Sequence, residues 1–132
     1  MTILVDTSAF LAVLNADDQN HRVARATWEK LISQDAVLIC TNYVLVETFA
    51  LIQKRLGMEA VRIFQEDVVS FVQIEWLDAA SHSRSVAALL TANRRQLSLV
   101  DCASFDTMRQ LGIISAFAFD PHFTEQGFTC IP

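Results

Sequence analysis

Short runs of almost unbroken apolar residues recur along the chain, separated by longer stretches with helical spacing. Ile3-Leu4-Val5, Ala36-Val37-Leu38-Ile39-Cys40 and Ile114 to Phe119 are the clearest of them. A strand with one wet face alternates polar and apolar residues, whereas a strand buried on both faces does not. Such runs, alternating with helical patterns, fit a parallel sheet lying between helical layers. The expected fold class is α/β, a three-layer α/β/α sandwich around a central, mostly parallel sheet, with residues 1–132 forming a single domain. In sheets of this kind ligands bind at the carboxyl ends of the strands.

The remaining elements follow from caps and periodicity. Ser8 can cap a helix to about Leu14, and Asn20 a second one with Val23, Ala24, Trp28, Leu31 and Ile32 on one face. Thr41 or Asn42 caps a long helix that Gly57 stops. A helix is expected over Met58 to Val69, a strand over Val72 to Leu77, and a helix from Asp78 to about Arg95. Ser98 opens a helix ending near Leu111 with Gly112 as its cap, and Phe128 to Ile131 reads as an edge strand. Trp28, Trp76 and Phe105 sit among apolar neighbours and are expected in the core.

Composition excludes several classes. Hydrophobic residues make up 52% and charged residues 19%, which is not a disordered chain. The net charge of −5 argues against a protein that coats nucleic acid, but not against a nuclease whose site is built from carboxylates. Three cysteines (Cys40, Cys102, Cys130) cannot all pair and form no CxxC, so small buried thiols in a reducing cytoplasm are expected. The N-terminus lacks a basic region and meets Asp6 early, so no signal peptide is expected; no apolar run is long enough to span a membrane.

Chemistry concentrates in four acids from four segments. Asp6 follows the first apolar run directly, and Asp120 follows Ile114 to Phe119. Glu47 is the only charged residue between Tyr43 and Ile52, and Asp101 lies in Leu97-Ser98-Leu99-Val100-Asp101-Cys102-Ala103. Each has a plain structural use as well. Asp6 can accept backbone N–H groups in its turn, Ser98 and Asp101 have capping-box spacing, and Asp120 before Pro121 makes a good helix start. Glu47 is the hardest to explain structurally, because a carboxylate in an apolar helix needs a partner or a metal. Acids that converge without Lys or Arg stay ionised together only around a cation. Oxygen ligands with no Cys/His set point to Mg²⁺ or Mn²⁺ and to phosphate-ester hydrolysis.

Taken together, Ile-Leu-Val-Asp-Thr-Ser at 3–8, Leu45-Val46-Glu47-Thr48, Leu-Ser-Leu-Val-Asp at 97–101 and Phe-Asp-Pro-His-Phe at 119–123 resemble the PIN-domain ribonucleases, most closely the VapC-type toxins of toxin–antitoxin pairs. The resemblance spans essentially the whole chain, in order and at similar spacings. It implies a PIN-like fold and a Mg²⁺- or Mn²⁺-dependent endoribonuclease that acts on RNA, often tRNA or rRNA. It also implies a homodimer and a small antitoxin partner that reaches into the active-site groove. Carried over by position, Asp6, Glu47, Asp101 and Asp120 match the acidic quartet, as catalytic residues and metal ligands. Ser8 and Ser98 match supporting hydroxyls. One departure is Ala118, where relatives often carry a hydroxyl before the Phe-Asp pair.

With water as nucleophile, the products should carry 5′-phosphate and 3′-hydroxyl ends. Grip on RNA would fall to local basic residues: Arg22, Arg25 and Lys30, Lys54 and Arg55, or Arg94 and Arg95. Two rival readings fit parts of the sequence. A haloacid-dehalogenase-like phosphatase wants Asp-x-Asp, whereas the chain reads Asp6-Thr7-Ser8; a non-catalytic RNA- or partner-binding module would be expected to lack site acids. His21, His82 and His122 have no zinc spacing, and His122, although near Asp120, reads as a surface turn residue. Asp106, about 140° around its helix from Asp101, is expected to miss the site.

Overall fold

The computed structural model describes all 132 residues. Five strands, β1 (Thr2–Val5), β2 (Val37–Thr41), β3 (Val72–Glu75), β4 (Ser115–Phe117) and β5 (Thr129–Ile131), form one sheet in the order β3-β2-β1-β4-β5. Every pairing is parallel, so the sheet is wholly rather than mostly parallel. From β1 the chain builds outward through β2 to β3, then returns to add β4 and β5 on the other side of β1. The order therefore reverses between β1 and β4, and a crevice for ligand opens above such a switch point.

Strand periodicity sorts the core into two layers. Ile3 and Val5 of β1, Leu38 and Cys40 of β2, and Phe117 of β4 enter one cluster with Phe10, Trp28, Val44, Ile52 and Phe64. Their neighbours Leu4 and Ala116 point the other way, into a second cluster with Leu97, Cys102, Phe105, Met108 and Phe123. Helices thus cover both faces, which is the expected three-layer sandwich. The first face carries α1 (Thr7–Leu14), α2 (His21–Ser33), α3 (Asn42–Leu56) and α4 (Met58–Ile63). The second is covered by α6 (Leu99–Leu111) and α7 (His122–Glu125), with α5 (Ala79–Ala92) packed outside α6.

Several local expectations change. Asp6 rather than Ser8 caps α1, because Asp6 is the residue still in extended conformation and its carboxylate accepts from Ser8 N–H. α4 is short: the chain widens into a π turn over Phe64–Val68, where Phe64 enters the core against Phe10 and Phe49 at ring separations of 5.3 and 5.0 Å. α5 stops at Ala92, since Asn93 takes a left-handed conformation (φ 50°) that an asparagine tolerates. Gly57 (φ 90°) ends α3, and Gly112 (φ 69°) ends α6. Trp76 is not core: it follows the edge strand β3 and is 70% exposed. Val23 is likewise half exposed, while Ala24, Trp28 and Leu31 form the buried face of α2.

Candidate active site

All five strands end at one edge of the sheet, and the first two acids come from that geometry. Asp6 continues β1; its N–H donates to Phe117 O of β4 at 3.0 Å. The residue is only 4% exposed. Oδ2 accepts from Ser8 N–H (3.1 Å) and from Ser8 Oγ (2.6 Å), and Ser8 Oγ in turn accepts from Phe119 N–H (3.0 Å). One hydroxyl thereby ties the turn after β1 to the segment that leads from β4 to Asp120.

The third acid is set by a helix cap. Asp101 N–H donates to Ser98 Oγ (3.0 Å) and Ser98 N–H donates to Asp101 Oδ2 (3.1 Å), a reciprocal capping box at the start of α6. The box fixes the Asp101 rotamer with a single N–H bond to Oδ2, which leaves that oxygen and its neighbour further acceptor capacity. Capping and site roles are therefore compatible.

Asp120 and His122 complete the centre. Asp120 Oδ1 accepts from His122 N–H (2.9 Å), and His122 Nδ1 lies 3.0 Å from the same oxygen and 3.8 Å from Asp101 Oδ2. One potential ligand atom from each of Asp101, Asp120 and His122 falls within 4.8 Å of the others. His122 is therefore not the surface turn residue its sequence position suggests. The available signal was its place two residues beyond the last acid, in a turn that Pro121 initiates. Asp101 is remote in sequence, and only the folded chain brings it alongside.

Glu47 lies outside this group of three. It sits half-buried on α3, against the Thr7 hydroxyl, and feels the charge of Asp101. Thr7, another residue not singled out from the sequence, also accepts from Thr48 Oγ1 at 3.2 Å, which links α1 to α3 beneath Glu47. Asp106 turns away as expected and pairs with Arg84 at 3.2 Å. Among the basic residues, Arg25 pairs with Glu29 on the same helix. Arg94 bonds Glu125 of α7 at 3.0 Å, so the Arg94-Arg95 loop lies next to the helix that carries His122.

The electrostatics are those of acids crowded out of water. Burial pushes Asp6 up to about 6, against the pull of the two Ser8 hydrogen bonds and with the push of Asp101 and Asp120. Burial also raises Asp101; the Ser98 N–H opposes the rise, and the charge of Asp120 adds to it. Glu47 is raised by burial, opposed by the Thr7 hydroxyl, with Asp101 adding. Several carboxylates that are each hard to ionise, around a point with no Lys or Arg, fit a site for a divalent cation.

Comparison with known proteins identifies the family. The PIN domain family profile matches residues 3–128. The chain belongs to the PIN-domain family, whose members are metal-dependent nucleases. Within that family it is 35% identical over 127 residues to the 23S rRNA-specific endonuclease VapC20 of Mycobacterium tuberculosis, covering 96% of this chain and 95% of that one. The crystal structure of VapC20, described as a Sarcin-Ricin loop cleaving toxin, superposes with a TM-score of 0.85 at 34% identity over 96% of each chain. FitAcB from Neisseria gonorrhoeae shares the fold at a TM-score of 0.69 and 15% identity, over 100% of this chain and 97% of that one. The chain is an endoribonuclease of the VapC toxin type, and neither the phosphatase nor the non-catalytic reading is favoured.

Proposed function

We propose that Asp6, Glu47, Asp101 and Asp120 are the catalytic, metal-holding acids of this enzyme, and that its substrate is ribosomal RNA of the large subunit. The observation that carries the first part is the meeting of Asp101 and Asp120 with His122 within 4.8 Å, beside Asp6, above the switch point between β1 and β4. The target follows from the likeness to VapC20 over nearly the full length of both chains.

A bound Mg²⁺ or Mn²⁺ supplies an acidified water and a positive centre for phosphate oxygens. The protein's residues do the rest. Asp101 and Asp120 present oxygens to a common point, with the Asp101 rotamer locked by Ser98. Ser8 holds Asp6 within reach of the charges of Asp101 and Asp120 and keeps its carboxylate more acidic than burial alone would. Glu47 stands on α3 beside the Thr7 hydroxyl, near enough to Asp101 to feel its charge, and adds a further carboxylate to the group. Attack by water leaves 5′-phosphate and 3′-hydroxyl ends.

The remaining parts of the reading rest on the family. Residues 1–132 act as one nuclease domain. The protein works in the cytoplasm, where ribosomes are, and no helix is long and apolar enough to cross a membrane. It forms a homodimer and is held inactive by a small antitoxin that covers the acidic crevice. Incubation of intact ribosomes with the purified protein and Mg²⁺ or Mn²⁺ tests the substrate. A discrete cut in large-subunit RNA, absent with EDTA, is the expected result; cutting of other RNAs with ribosomes untouched would overturn it.

A further inference from the structure

The acidic quartet leaves His122 unexplained. Its ring is not a loose surface group, since the side chain is 14% exposed. α7, which carries it, is pinned to α6 and to the loop before α6. Phe123 is fully buried and meets Phe105 of α6 edge-on at 5.0 Å, Phe128 stacks on the same Phe105 at 5.9 Å, and Glu125 is tied to Arg94. Phe105 lies four residues after Asp101, on the same face of α6. The packing that fixes α7 thus also fixes the imidazole against Asp101.

The orientation of the ring is the informative feature. Nδ1 is shielded from solvent, and although it is 3.0 Å from Asp120 Oδ1 it makes no aligned hydrogen bond. A histidine that merely clamped a carboxylate would point its ring nitrogen along the contact. Here the nitrogen and the two carboxylate oxygens lie side by side, as ligands facing a shared point do. An ion held at about 2.0–2.3 Å from each ligand atom sets neighbouring ligands about 3–4 Å apart. The separations of 3.0 and 3.8 Å from Nδ1 to Asp120 and Asp101 match that spacing.

We propose that His122 is a direct nitrogen ligand of the divalent ion held by Asp101 and Asp120, making this a mixed carboxylate–imidazole site that favours Mn²⁺ over Mg²⁺. Mg²⁺ takes oxygen donors and keeps its waters, whereas first-row transition ions gain from an imidazole nitrogen. The inference rests on the reading of the acids as metal-holding, and it adds a ligand and a metal preference to that reading.

The test uses the full chain without RNA, so that catalysis plays no part. Pulsed electron paramagnetic resonance of bound Mn²⁺ should show nitrogen hyperfine coupling, and this coupling should vanish in His122→Ala. Calorimetric titration should show Mn²⁺ binding weakened about tenfold or more in His122→Ala, at least the loss typical of outer-shell changes. Mg²⁺ binding should weaken less, so the preference for Mn²⁺ narrows. Absence of nitrogen coupling in the unaltered protein would overturn the proposal and needs no variant to fold. Equal weakening of both ions, or of neither, would overturn it as well. Asp101→Asn separates the two levels. If it abolishes Mn²⁺ binding while His122→Ala changes nothing, only the ligand assignment fails; if neither affects binding, the acidic-site reading fails too.

Discussion

The Ser8 hydroxyl lies 2.6 Å from Asp6 Oδ2 and is the strongest single hold on that buried carboxylate. Because Ser8 Oγ also accepts from Phe119 N–H, removing the hydroxyl does two things at once. Ser8→Ala leaves a backbone N–H without its partner and lets burial push Asp6 higher. The expected outcome is a loss of about 1–3 kcal/mol in stability and weaker Mg²⁺ binding near neutral pH. Denaturant unfolding and calorimetry on Ser8→Ala and Ser8→Thr check this; Thr should recover most of both.

Asp6 also sets a pH dependence. Its folded pKa of about 6 lies above the 3.8 of an unfolded aspartate. The metal-free fold therefore holds this proton to higher pH than the unfolded chain does. The resulting stability is fully present below about pH 4 and is lost as pH rises through about 6, a change on the order of 3 kcal/mol. Asp6→Asn removes the titration and should flatten this part of the curve. On the proposal that Asp6 holds the ion in its ionised form, Mg²⁺ should stabilise the unaltered protein far more at pH 7.5 than at pH 5. Denaturant midpoints from pH 4 to 7.5 provide the measurement, and identical slopes in the two proteins would count against the assignment.

Phe105 and Trp76 should behave as opposites. Phe105 is buried and touches both Phe123 and Phe128, so Phe105→Ala is expected to cost about 3–5 kcal/mol and to loosen α7. Trp76 is exposed beyond the edge strand, and Trp76→Ala should change stability by less than about 0.5 kcal/mol. Thermal unfolding of the pair distinguishes a core role from a surface one.

Arg95, just before α6, has no carboxylate partner, whereas its neighbour Arg94 is engaged by Glu125. Arg95→Glu should weaken RNA binding and reduce its salt dependence, raising KM with little change in kcat. A parallel fall in kcat would place Arg95 in the chemistry instead.

How much of this could be read from the chain depends on the range of the signal. The parallel sheet was legible because Ile3-Leu4-Val5 and its counterparts announce burial on both faces locally. The Ser98–Asp101 box was legible because both partners lie within one helical turn. Asp6 as cap was missed, since a hydroxyl two residues on looked like the better start and only the backbone conformation decides. Trp76 was misplaced because apolar neighbours say nothing about whether a strand lies at the edge of its sheet. The importance of His122 was hidden because its contact with Asp101 spans the α6, β4 and α7 elements, and no spacing rule reaches so far.

The convergence of the acids on one ion is tested most directly by RNA cleavage with Asp6→Asn, Glu47→Gln, Asp101→Asn and Asp120→Asn beside the unaltered protein, each in Mg²⁺, Mn²⁺ and EDTA. An asparagine at position 101 keeps an oxygen to accept from Ser98 N–H, so that variant should fold normally. The expected result is metal-dependent cutting by the unaltered protein and a loss of at least about a hundredfold in each folded variant, with Mn²⁺ binding weakened in parallel. Full activity in folded Asp6→Asn or Asp101→Asn, or cutting that persists in EDTA, would contradict a shared metal centre.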